Sequence, residues 1–246
     1  MRVALLVLSL VWSVRLAHAD RTEDVARIHL EVIGGQERIA ALSAMRASGH
    51  VIAGGKRVRF TLTAARPNRI RLETEGGGRT LVQGSDGVEP PWEFDTGSWP
   101  PRFRPMAEAV AKRFAADAEY DDPLVAGAVR GYALDFAGEV ELDGKKLLRL
   151  LVTRKLADTF SLLVDPDTYL IVMRVESRTS PGGRPVQIAT RYAQFRPVEG
   201  VLLPHEITVL VDGRLTQQTK IDTIDANPTL SAETFSRSRS VGVPKP

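Results

Sequence analysis

The chain has 246 residues, 43% hydrophobic and 26% charged, with a formal net charge of +3. That is the composition of one soluble globular domain or two small ones, and it excludes disorder as the main state. Cysteine is absent, which removes disulfide frameworks, thiol nucleophiles, thiolate zinc sites and iron–sulfur clusters together. Aromatic residues make up only 6%, a thin supply for stacking nucleic acid bases, so nucleic acid is not an expected partner.

Residues 1–19 read as a secretory signal peptide. Arg2 supplies the positive start, Val3 to Val14 is mostly apolar, and Ala17-His18-Ala19 is a small-x-small cleavage site. Arg15 interrupts the apolar run well short of the roughly 20 residues of a membrane span. Cleavage after Ala19 into the periplasm is expected, and the removed Arg2 and Arg15 bring the formal net charge close to neutral.

The segment from Asp20 to Ile33 predicts an amphipathic helix, with Asp20 as cap, Glu23 three residues on, and Val25, Ile28, His29, Val32 and Ile33 at helical spacing. Gly34 and Gly35 stop it. A shorter helical piece carries Ile39, Ala40 and Leu42 up to about Ala44. From Met45 the period changes to two: Val58, Phe60 and Leu62 alternate with polar residues, and Ile70 and Leu72 do so after the turn at Arg66-Pro67-Asn68. These read as half-buried antiparallel strands.

Prolines at 90, 91, 100, 101 and 105 bracket Trp92, Phe94 and Trp99, which predicts an edge strand or loop, able to gate a cavity mouth or pack as a flap. Met106 to Ala118 returns to helical chemistry with Ala109, Val110 and Phe114 on one stripe, and an acidic turn over 117–122 ends it. Beyond Gly131 a meander is expected, with turns at Asp143-Gly144, Asp158, Asp165-Pro166-Asp167, Pro181-Gly182-Gly183, Glu199-Gly200 and Asp212-Gly213. Between them Leu148, Leu150 and Val152, then Ile171, Met173 and Val175, then Ile207, Val209 and Val211 alternate with other residues. About ten or eleven strands are expected in all.

Enzyme signatures are weak. His205-Glu206 lacks a second histidine, since position 209 is Val, and the run alternates like a strand, so a histidine held by a backbone group is the expected role. His29, His50 and His205 are too dispersed for a metal set, Gly76-Gly77-Gly78 has no phosphate-loop lysine, and no serine sits in a nucleophile elbow. No catalytic residue, metal or cofactor is assigned.

A sheet this long must curl, and its apolar face needs a cover. With two or three helices and no βαβ alternation, the expected fold is mainly β: a curved, incompletely closed antiparallel β-barrel, or half-barrel, with helices over the concave face. Residues 20–235 form this single domain, and 236–246 a flexible tail.

Several segments carry a resemblance. Arg66-Pro67-Asn68-Arg69-Ile70-Arg71-Leu72-Glu73, Asp121-Asp122-Pro123-Leu124-Val125, Asp165-Pro166-Asp167-Thr168-Tyr169-Leu170, and above all the run from Tyr192 to His205 look like bacterial outer-membrane lipoprotein-sorting proteins of the LolA/LolB-like superfamily. The likeness runs through most of residues 22–236 and implies a half-barrel with a helical lid, a hydrophobic cavity, and transport or sensing of acyl chains in the periplasm.

The expected function is therefore a non-enzymatic, monomeric periplasmic carrier that serves outer-membrane biogenesis as a chaperone for lipoprotein acyl chains or phospholipid. Inner- or outer-membrane transport components are its expected partners. The alternative is a periplasmic lipid-sensing or protein-binding module that regulates an envelope partner. The candidates for the hydrophobic cavity are Phe60, Leu62, Ile70, Leu72, Trp92, Phe94, Leu148, Leu150, Val152, Ile171, Met173, Val175, Ile207 and Val209. Arg57, Arg59, Arg69 and Arg71 are the candidates for a rim that meets anionic headgroups.

Overall fold

The computed structural model describes residues 21–237 apart from 99, 102, 155–157, 181 and 232. The expected signal peptide, Asp20, Trp99 and the tail from 238 onward lie outside the described residues. Helix α1 spans residues 21–32 and α2 spans Gln36–Ala41. Strands β1 (Ala44–Ala53), β2 (Lys56–Ala65), β3 (Arg69–Gly76), β4 (Arg79–Ser85), β5 (Trp92–Asp95) and β6 (Phe103–Pro105) follow. After α3 (Glu108–Asp117) and α4 (Pro123–Arg130) come β7 (Ala133–Leu142), β8 (Lys145–Thr153), β9 (Thr159–Val164), β10 (Ile171–Thr179), β11 (Pro185–Val198), β12 (Val201–Val211) and β13 (Arg214–Ala226).

The thirteen strands form one antiparallel sheet in the order β6-β5-β4-β3-β2-β1-β13-β12-β11-β10-β9-β8-β7. Its end strands β6 and β7 do not pair with each other, so the sheet is open rather than a closed barrel. The excess over ten or eleven strands includes β5 and β6, short pieces in the proline-broken segment. The hairpins close as the turn residues require: Asp143-Gly144, Glu199-Gly200 and Asp212-Gly213 all hold positive φ at both positions, which matches the twist of the flanking strands.

The chain divides into two compact units. One contains α1, α4, β7 to β10 and adjoining parts of β11, β12 and β13; the other contains α2 after its first residue, α3, β1 to β6 and the remainder of those three strands.

In the first unit β8 and β9 pair so that Val152 faces Phe160, Leu150 faces Leu162 and Leu148 faces Val164. These six side chains and Ile171 form a buried cluster that Val25 of α1 and Leu124 of α4 complete. Each such side chain contributes about 1.5–3 kcal/mol by leaving water. Along α1 the expected stripe holds for Val25, His29 and Ile33, but Val32 is exposed. Helix α4 was not anticipated; it starts because Asp122 Oδ1 accepts from the backbone N–H groups of Leu124 and Val125 at 2.8 and 3.2 Å, with Pro123 at the first helical position.

In the second unit Val82, Trp92 and Phe94 are buried together against Phe103, and Trp92 meets the Phe103 ring edge-on at 5.2 Å. Trp92 and Phe94 are thus packing residues. Ile39 and Leu42 are buried as expected, while Ala40 is exposed. Arg66 holds the end of α2, donating to the carbonyls of Ile39 at 2.5 Å and Leu42 at 3.2 Å and pairing with Asp121. Helix α3 carries no buried residue. Its expected apolar stripe is not packed: Ala109 and Val110 are exposed and Phe114 is half-buried.

Candidate functional site

The sheet register distributes the fourteen cavity candidates over different faces. In the first unit Leu148, Leu150, Val152 and Ile171 lie under α1 and α4. Met173 and Val175 do not join them. A register shift between Ile171 and Met173 in the β9–β10 pairing turns Met173 to the opposite side, where it packs with Leu147 and Leu163 and Val175 adds to the cluster. A bulge reverses the alternation that period-two reading assumes. On β12, Ile207 and Val209 are half-buried.

In the second unit Phe60, Leu62, Ile70 and Leu72 share one face, set by the pairs Leu62↔Leu72 and Ala64↔Ile70. Trp92 and Phe94 stand on the other, opposite Gly84 and Val82. A Cβ on Gly84 would come within 2.4 Å of the Trp92 ring, so only glycine lets that ring lie flat on the strand. The rim candidates Arg57, Arg59, Arg69 and Arg71 share this second face through the pairs Ala65↔Arg69 and Thr63↔Arg71.

These arginines do not form a uniform solvated stripe. Arg69 stacks over Phe235 at 5.3 Å, and Arg71 is only 3% exposed, 5.7 Å from the Trp92 ring. Phe235 is buried with Ala44 and Ala65, and its carbonyl accepts from Trp92 Nε1 at 3.3 Å. Just beyond it, Ser236 donates its N–H and its hydroxyl to the carbonyl of Glu233.

Two polar constellations stand out. The first is in the first unit, at His29, which is 2% exposed. Its Nδ1 lies 2.7 Å from the Tyr169 carbonyl and its Nε2 3.2 Å from Asp122 Oδ2. Both partners are acceptors, so both ring nitrogens carry hydrogen and the ring is an imidazolium. Burial alone would lower its pKa, but the hydrogen bond and charge of Asp122 and the Tyr169 carbonyl outweigh it, and the pKa is raised. One cation thus ties α1 to the cap of α4 and to the β9–β10 turn.

The second is a cavity of about 620 Å³ in the second unit, within the range of small-molecule sites. Ser48, Gly49 and His50 of β1, Arg57, Arg59, Phe60 and Thr61 of β2, Glu73 and Glu75 of β3, and Asp222 of β13 line it. A register shift between Ser48 and Gly49 in the β1–β13 pairing leaves Asp222 without a partner residue on β1. Such a bulge re-aims a side chain, and Asp222 Oδ2 meets His50 Nδ1 at 3.2 Å. His50 Nε2 in turn is 2.5 Å from Arg57 Nη2. His50 thus stands between the Arg57 guanidinium and the Asp222 carboxylate. Gly49 makes the bulge possible, because a Cβ there would sit 2.0 Å from the Lys220 carbonyl oxygen.

His205, beside Pro204, is buried with Nδ1 3.0 Å from the Leu203 carbonyl, the backbone role expected of it. Among the described residues no group of three or more His, Asp or Glu side chains is placed to hold a metal ion. Asp122 and Asp222 are the site residues that sequence reading missed. Asp122-Pro123 was a helix-start signal in plain view, whereas the bulge that turns Asp222 leaves no trace in the residue pattern.

No protein-family model matches the chain, and no curated protein matches it. Solved structures do. A domain of an outer membrane lipoprotein-sorting protein from Vibrio parahaemolyticus aligns with a TM-score of 0.57 at 10% identity, covering 89% of this chain and 97% of that one. A DUF1329 family protein from Desulfovibrio piger gives 0.59 at 12% identity over 88% and 98%. A LolA superfamily protein from Nitrosomonas europaea gives 0.52 at 12% identity over 84% and 96%. The chain has a LolA-like fold. At these identities the likeness establishes the fold alone. No helix among the described residues is long and apolar enough to cross a membrane.

Proposed function

We propose that the chain is a non-enzymatic periplasmic carrier that holds acyl chains of lipoproteins or lipids, in the sorting of outer-membrane lipoproteins or in lipid transport. The supporting observation is the continuous apolar face of β8, β9 and β10, where Leu148, Leu150, Val152 and Ile171 form one cluster with Val25 of α1 and Leu124 of α4. An acyl chain of about sixteen carbons recovers on the order of 10 kcal/mol on leaving water, at about 0.8 kcal/mol per methylene. A chain that reaches Leu148, Leu150, Val152 and Ile171 is held by that burial alone. No bond is made or broken in this, and catalytic residues have no part in it.

The test is native mass spectrometry of the exported protein purified without detergent, followed by lipid extraction. A bound species of acyl-lipid mass is the expected result, lost on Leu150→Glu and retained on Arg149→Glu, since Arg149 points away from the helices. A protein that stays bare after incubation with phospholipid, or equal behaviour of the two variants, removes the reading.

A further inference from the structure

The register shift that turns Met173 away from the apolar cluster of the first unit turns Arg174 and Glu176 towards it. Arg174 stands opposite Leu162 and Glu176 opposite Phe160, the residues that face Leu150 and Val152 on the next strand. Guanidiniums gather at this end of the cluster: Arg174 lies over the buried Phe160 ring at 4.2 Å, and Arg154 approaches the same ring to 5.0 Å. Arg178 follows two residues beyond Glu176 on β10. Glu176 is shared, meeting Arg174 at 3.2 Å and also accepting from Arg178. Across β11 the residues opposite Arg174, Glu176 and Arg178 are Thr190, Ile188 and Val186, which carry no charge. The Arg174 side chain is 17% exposed, and its Nε is buried with no hydrogen-bond partner. A buried donor without an acceptor is destabilising, the more so in a charged group.

An acyl chain that reaches Leu150 and Leu162, as in the carrier reading on which this inference rests, comes within one strand spacing of Arg174, about 4.8 Å. We propose that this end of the apolar face selects acyl cargo that ends in a singly charged oxyanion, held by Arg174 with Arg154 and Arg178 beside it. Such an end supplies the acceptor that Arg174 Nε lacks and the negative charge that two guanidiniums now draw from one carboxylate. An alcohol or ester end supplies an acceptor without the charge, and a doubly charged end meets more repulsion from Glu176. Guanidinium grips carboxylate and phosphate through paired N–H donors, and the apolar surroundings of Phe160 strengthen those bonds. Two sources share this chemistry, the carboxylate of a free fatty acid and the phosphodiester of a phospholipid.

The exported protein is offered two mixtures from cyclodextrin, palmitate with an equal amount of hexadecanol, and phosphatidylglycerol with an equal amount of diacylglycerol of the same chains. It is then re-isolated and its lipid quantified by mass spectrometry. The anionic member is expected to be retained about tenfold over its neutral partner, the worth of one charge-assisted hydrogen bond. Preference in the first mixture identifies a fatty acid as the source, and preference in the second a phospholipid. Arg174→Gln returns the ratio to parity, whereas Arg149→Gln, on the opposite face beside Leu163, leaves it intact. Arg178 is more exposed, at 26%, so Arg178→Gln lowers the preference even where Arg174→Gln does not fold. Parity in both mixtures, or a preference that survives these substitutions at 174 and 178, overturns the anion site while the carrier reading stands. No uptake from either mixture overturns both.

Discussion

His29 carries a proton on each ring nitrogen because a carbonyl and a carboxylate meet it from two sides. Its pKa is raised in the folded protein, so its contribution is fully present below the unfolded value of about 6.5 and is lost as pH rises through the folded value. His29→Gln should cost about 2 kcal/mol near pH 5.5 and much less near pH 9. Thermal melts of both proteins at the two pH values check this; a pH-independent difference would mean that the ring is neutral. Gly49 presents a different constraint at the same scale. Gly49→Ala places a methyl group 2.0 Å from the Lys220 carbonyl, where backbone must give way, and a loss of about 2 kcal/mol or more is expected in urea unfolding. Nothing in the alternation around either residue marks it. His29 reads as one more member of an apolar helical stripe, and Gly49 as a weak strand residue.

Helix α4 owes its start to a residue that also holds α1. Asp122 caps the helix through one oxygen and meets His29 with the other. Asp122→Ala should therefore cost about 2–3 kcal/mol, more than an ordinary cap, and adding His29→Gln should cost little further, because both changes remove one interaction. A double-mutant cycle by chemical denaturation gives the coupling directly. Helix α3, with no buried residue, should exchange its amide hydrogens well before α1 does, as measured by hydrogen-exchange mass spectrometry. The elements themselves were legible to different degrees. Strands β2, β3 and β8 announced themselves because apolar and polar residues alternate along them with a period of two, although the structure buries residues on both faces, Arg71 beside Ile70 and Leu147 beside Leu148. Helix α4 is eight residues of Pro, Leu, Val, Ala, Gly and Arg, too short to show a helical period, so only its Asp-Pro start was readable. Met173 and Val175 were placed on the wrong side since a register shift moves side chains between faces and changes no residue. Arg71 was read as a rim residue from its charge, and its burial beside Trp92, twenty-one positions away in the chain, is not written in the local pattern.

At the scale of the molecule, the two free edges are guarded by different means. Strand β6 is three residues long and ends in Pro105, which cannot donate to a further strand, while β7 carries Glu139 and Glu141 beyond a register shift. Short, proline-tipped or charged edges resist pairing with another copy. Replacing both Glu139 and Glu141 by Val should raise the average mass in a concentration-dependent way relative to the unaltered protein, as read by light scattering. The pairing of β1 with β13 joins Met45 to Ala226, and Phe235 completes the cluster around Ala44 and Ala65 only after that. At about 5–20 residues per second, roughly 10–40 s of synthesis separate the first partner from the second. During that interval β1 has an open side that no later strand has yet reached. The nascent chain thus stays unfinished along its β1–β13 seam long after β1 itself is made, with one row of backbone donors and acceptors waiting for a strand 181 residues away.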